Sequence, residues 1–85
     1  MIVTYKTPMA RFRIWCRADE VGTGQHLAVV SAIPDPAGAS PAPIESESRL
    51  LATRQLAIEA CAHMVQSFRR RIEARGDQVS VVEMV

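Results

Sequence analysis

Residues 54–75 carry Ala57, Ile58, Cys61, Val65, Phe68 and Ile72 at spacings of three and four, with Met64 beside them. Gln55, Glu59, His63, Gln66 and Arg70 fall on the other side. Only a helix gathers such positions onto one face, because its 3.6-residue turn stacks i, i+3 and i+4. Thr53 is a good N-cap, and Arg69, Arg70, Arg71 and Arg75 complement the negative end of the helix dipole. Gly76 supplies a left-handed C-terminal cap. One amphipathic helix has nothing to pack against on its own. In a chain of 85 residues a second domain does not fit, so the helix's partner must come from the rest of one small core.

The strands follow from periodicity. Residues 11–17 alternate strictly, Phe12, Ile14 and Cys16 against Arg11, Arg13, Trp15 and Arg17, and a period of two predicts a half-buried strand with the first set in the core. Asp19-Glu20-Val21-Gly22-Thr23-Gly24 reads as a hairpin loop into an antiparallel second strand over 25–33. That strand is apolar on both faces, with Leu27, Val29 and Ile33 on one and Ala28, Val30 and Ala32 on the other. Residues 34–43 hold four of the five prolines and no large side chain, which predicts a mobile loop.

Residues 44–51 admit two readings. Ser48 can cap a longer helix, or the segment is a third strand ending at Thr53. The strand is preferred, because a helix beginning after Thr53 keeps Arg54 out of the apolar stripe. Residues 77–85, with Val79, Val81, Val82, Met84 and Val85, read as a final strand. The expected fold class is therefore α+β, an antiparallel β-sheet in the order β-β-β-α-β packed against one long amphipathic helix. Residues 2–5 allow a short additional strand at the start.

A hairpin, a variable loop, a short strand ending in Leu50-Leu51-Ala52-Thr53, and a helix with Ala57 and Cys61 at small-residue positions resemble a group of short proteobacterial domains of unknown function. In element order the chain is also similar to the HicB-type antitoxin domain, a partial RNase H fold, over residues 11–84. HicB-type antitoxins usually add a C-terminal DNA-binding segment, and this sequence ends at Val85 directly after its last predicted strand. The resemblance implies a fold and carries over no functional residue.

Catalytic and metal chemistry find little to build on. Cys16, His26, Cys61 and His63 are the candidate soft ligands, but Cys61 and His63 are two apart on a helix and point away from each other. No Cys-x-x-Cys knuckle, phosphate-binding glycine loop, nucleophile elbow or paired-carboxylate motif occurs. Glu59 and His63 are one helical turn apart, the minimum for an oriented base, with no nucleophile to serve. Both cysteines read as buried core thiols. The expectation is a non-enzyme with no cofactor and no metal.

Two surfaces remain. Arg11, Arg13, Trp15 and Arg17 are four consecutive outward positions, a basic stripe with one aromatic, able in principle to stack a base and pair phosphates. A formal net charge of +1 argues against a general polyanion binder. The second surface is apolar. One helix covers one sheet face, so Leu27, Val29, Val30 and Ile33 are candidate protein-interface residues, with Leu56 on the far side of the helix. The leading expectation is a self-associating homodimer or a module that binds another protein. Nucleic-acid binding through the first strand is the alternative.

Location is inferred from what the residues lack. Two cysteines are too few for a disulfide scaffold, and the N-terminal residues show neither a long apolar run nor a small-residue cleavage site. The longest apolar run, 27–33, is interrupted by Ser31 and closed by Pro34, so no membrane span is expected. A cytoplasmic protein is expected. Nine of the ten basic residues are Arg, with Lys6 the exception, which reads as the coding bias of a GC-rich bacterial genome.

Overall fold

The computed structural model describes residues 10–35 and 45–84. The elements are β1 (Arg11–Gly22), β2 (Gln25–Pro34), β3 (Glu45–Leu51), α1 (Arg54–Ala74) and β4 (Gln78–Met84). They form one four-stranded sheet in the order β3-β2-β1-β4, with α1 packed on one face. The α+β class and the β-β-β-α-β order are those the pattern predicts. The segments expected as an initial strand (2–5) and as most of the mobile loop (36–43) lie outside the described residues.

The sheet is mixed, which corrects the antiparallel expectation. β1 pairs with β2, and β2 with β3, in antiparallel register, but β4 runs parallel to β1. The reason is geometric. Two antiparallel steps make β3 parallel to β1. A 21-residue helix at 1.5 Å per residue then carries the chain back about 32 Å to the end where β3 began. A strand that starts there runs parallel to β3, and therefore to β1.

Two boundaries also move. β1 continues to Gly22, so the predicted six-residue loop shrinks to Thr23 and Gly24. Gly24 takes φ 72°, which a side-chain-bearing residue resists. Val21 is the extra residue between the Glu20↔His26 and Gly22↔Gln25 pairs, a bulge that absorbs the register change. Pro34, expected in the loop, is the last residue of β2, buried and opposite Phe12.

The core lies between the sheet and α1. Phe12, Ile14 and Cys16 from β1, and Ala28, Val30 and Ala32 from β2, meet Ala57, Ala60, Cys61, Met64, Val65, Phe68 and Ile72. The small residues of the helix cluster in its first half, and there it approaches the sheet closely enough for the Cys61 thiol to donate to the Arg17 carbonyl at 3.4 Å. The bulky Phe68 and Ile72 fill its second half. Ile58 is only half-buried, while Met64, expected at the flank, is buried. Thr53 caps the helix as expected, its Oγ1 accepting from Leu56 N at 3.1 Å. At the far end Gly76 takes φ 92°, and Asp77 N donates to Ile72 O at 3.1 Å.

Arg75 ties the helix end to three strands. Its guanidinium lies 4.9 Å from the centroid of the Phe12 ring and donates to Asp77 Oδ2 at 2.8 Å and Glu45 Oε1 at 3.2 Å. Asp77 Oδ1 in turn accepts from Ala10 N at 3.2 Å. Partial burial disfavours the charged guanidinium, but the bonds to Asp77 and Glu45 outweigh it and raise the Arg75 pKa. One side chain thus joins the start of β3, the entry to β1 and the turn into β4.

Candidate interaction surface

The sheet face opposite α1 carries no second layer among the described residues. Its composition follows from register. Trp15 stands between Ser31 of β2 and Glu83 of β4, and Ser31 is followed across the sheet by Ser46. On one side of that row Arg13 lies between Val81 and Ile33. On the other, Arg17, Val29 and Ser48 form one row, and Asp19, Leu27 and Leu50 the next.

The centre of this face is dense although no described residue covers it. Ser31 is buried, and its hydroxyl shares a 3.0 Å hydrogen bond with that of Ser46, so the polar pair is satisfied within the sheet. Trp15, Leu27, Val29 and Ile33 are half-buried, while Leu50 (61% exposed) and Val81 (39%) project at the two sides. Leu27, Val29 and Ile33 are where the sequence placed them. Val30 is not: it is fully buried beneath α1, because strand alternation turns it to the helix side with Ala28 and Ala32. Leu56 is exposed as expected but sits on α1, across the sheet from Leu27, so no single flat interface contains both.

The arginine stripe is present and largely neutralised. Arg13 forms an ion pair with Glu83 on the neighbouring strand, and Arg17 one with Asp19 at 2.6 Å. Arg11 has no ion-pair partner among the described residues. Beside Trp15 a shallow hollow of about 290 Å³ is lined by Arg13, Ile33, Pro34, Asp35 and Glu83. Asp35 accepts from the Ser80 hydroxyl at 2.7 Å, and so is already engaged.

The groups weighed for other chemistry are dispersed. Cys61 is buried in the core while His63 is exposed on the same helix, and among the described residues no three His, Cys, Asp or Glu side chains gather as a metal site. Glu59 accepts from Gln55 at 3.4 Å. Cys16 and Cys61 do meet across the sheet–helix interface, as buried free thiols. Burial, reinforced by the adjacent Cys61 sulfur, pushes the Cys16 thiol above its ordinary value of 9.0, which favours the inert protonated form.

The sequence reading did not single out Leu50. Strict alternation of Ser46, Ser48 and Leu50 against Glu45, Glu47 and Arg49 along β3 would have placed it on the open face. Among the described residues no helix is long and apolar enough to cross a membrane. No family model, curated protein or solved structure matches the chain.

Proposed function

We propose that the protein is a non-catalytic interaction module that binds a second copy of itself through the open face of its sheet. The observation that carries this reading is the apolar band of Leu50, Leu27, Val29, Trp15, Ile33 and Val81 on a face with no covering layer among the described residues. Four strands about 4.8 Å apart and roughly seven residues long project to about 450 Å², and more as accessible surface. That is the order of the ~800 Å² per partner found in specific complexes.

Charge supports a second copy as the occupant. The ionic groups on this face are the Arg13–Glu83 and Arg17–Asp19 pairs and Arg11, so each copy presents both signs and an excess of one positive charge is all that opposes the other. The same pairing weakens the nucleic-acid alternative, since two of the four stripe positions already hold a carboxylate.

Sedimentation equilibrium tests the reading. A dimer is expected at micromolar concentration. Val29→Lys, which sets an unpaired charge in the band, is expected to be a folded monomer at the low micromolar concentrations where the wild type is a dimer, with an unchanged circular dichroism spectrum. A wild-type chain that stays monomeric to millimolar concentration refutes the proposal. Trp15, the single tryptophan, reports the alternative directly. Quenching by single-stranded oligonucleotides that fades as salt rises would favour nucleic acid.

A further inference from the structure

We propose that the outer edge of β4 is a separate self-association contact, at which β4 of one copy pairs antiparallel with β4 of another. This goes beyond the open-face reading and does not depend on it. β4 ends the strand order, and no other strand pairs with its outer side among the described residues. Unpaired backbone N–H and C=O groups along a strand are complemented by another strand. The side chains favour the same event: Val81, Val82 (43% exposed) and Met84 (66%) leave apolar surface at the edge.

The opposite edge shows what protection looks like in this fold. β3 displays Ser46 and Ser48, an Arg49–Glu47 ion pair and a Glu45–Arg75 ion pair, and charges of this kind deter strand addition. β4 has one charged residue, Glu83, and that carboxylate is held by Arg13 of the adjacent strand. It contains no proline or lysine.

Self-complementarity identifies the occupant as a second copy. A two-fold axis normal to the sheet, just outside β4 at the level of Val82, sets Val82 against Val82 of the other copy. Val81 then lies beside the other copy's Glu83, and Ser80 beside its Met84, with no like charges directly opposite. The register places Val82 next to Ile14 and Met84 next to Cys16, on the helix side of the sheet. An axis of this orientation keeps both helices on one face of an eight-stranded sheet, with Val82 and Met84 of the two copies in the trough between them. Five paired residues span only about 17 Å, so this contact is smaller than a standard interface and is expected to form at roughly tens to hundreds of micromolar.

Hydrogen exchange and sedimentation on the full chain test it together. In the wild type, the outward amides of β4 should become several-fold more protected between dilute and concentrated samples. Met84→Lys and Val82→Lys, both at exposed positions, should abolish that gain and weaken association, whereas Val29→Lys should leave it intact. Exchange at β4 that ignores concentration, together with wild-type association by Met84→Lys, overturns the edge contact whatever Val29→Lys does. If Val29→Lys leaves association unchanged while Met84→Lys abolishes it, the edge contact holds and the open-face reading falls.

Discussion

Replacing Arg75 by alanine removes the side chain that joins the end of α1 to the start of β3 and to the turn into β4. Three losses coincide. The guanidinium over the Phe12 ring contributes about 0.5–1 kcal/mol at a partly exposed site. The bonds to Asp77 and Glu45 are partly exposed ion pairs, each worth roughly 0.2–1 kcal/mol. The third loss decides the sum. Glu45 Oε2 is buried with no hydrogen-bond partner, so without Arg75 the carboxylate keeps no partner at all, which adds roughly 1 kcal/mol. Together Arg75→Ala is expected to cost about 2–4 kcal/mol, a fall of roughly 10–30 °C in Tm for a domain of this size.

The assay is urea unfolding followed by Trp15 fluorescence, with parallel circular dichroism to check two-state behaviour. Arg75→Lys separates the contributions, since a lysine keeps the charge but cannot bridge two carboxylates while stacking on a ring. It should recover less than half of the loss. Glu45→Gln, which removes the buried charge, should rescue part of the Arg75→Ala deficit in a double-mutant cycle. A cost below about 0.5 kcal/mol for Arg75→Ala, or full recovery by lysine, would show that the four-way junction is solvated surface and that this reasoning is wrong.

Three further outcomes are expected. Phe68→Ala, which empties a buried ring from the core, should cost about 3–5 kcal/mol, a large share of the total stability of a domain this size, read as a lowered urea midpoint. Thr53→Ala should cost about 1 kcal/mol by removing the Oγ1 acceptor for Leu56 N, and Thr53→Ser should retain most of it, as read from urea midpoints. Alkaline stability should track Cys16: because the fold holds its thiol protonated above the ordinary 9.0, unfolded chains lose that proton first, so stability falls as pH rises past about 9. Cys16→Ala should flatten that decline, and an unchanged slope would count against the buried-thiol assignment.

Much of this fold was legible because local periodicity and tertiary packing agree. The β1 alternation turned Phe12, Ile14 and Cys16 inward, and the helix stripe brought Cys61, Val65, Phe68 and Ile72 to meet them. Thr53 and Gly76 marked the helix ends through their own backbone chemistry. Strand direction was less visible, because nothing within Val79, Val81 and Val82 records which neighbour they pair with. It was recoverable from the connection, since a helix of that length between two strands of one sheet returns the chain to its starting end. The open face was legible as Leu27, Val29 and Ile33, but Val30 was misplaced where strand parity alone would have corrected it. The arginine stripe misled for a different reason. Asp19 is two residues from Arg17 and easy to anticipate, whereas Glu83 reaches Arg13 only through a strand pairing seventy residues away in sequence.

The disposition of the charged groups bears on why association is the better reading. Glu20 apart, each carboxylate already has a side-chain partner. Asp19, Glu45, Glu47, Glu73, Asp77 and Glu83 hold arginines, Glu59 holds Gln55, and Asp35 holds Ser80. A general acid or base needs a carboxylate whose proton affinity is set for transfer and whose oxygen faces a substrate, and carboxylates committed to arginines are poorly placed for that work. Both thiols are buried, and burial holds that of Cys16 in its protonated form. Among the described residues the larger surfaces left open are apolar and backbone in character: the band from Leu50 to Val81 and the outer edge of β4, which no described strand pairs. Surfaces of those two kinds lower their free energy by removing area from water and by completing a hydrogen-bond ladder. On the proposed reading, a second copy of the chain supplies both gains.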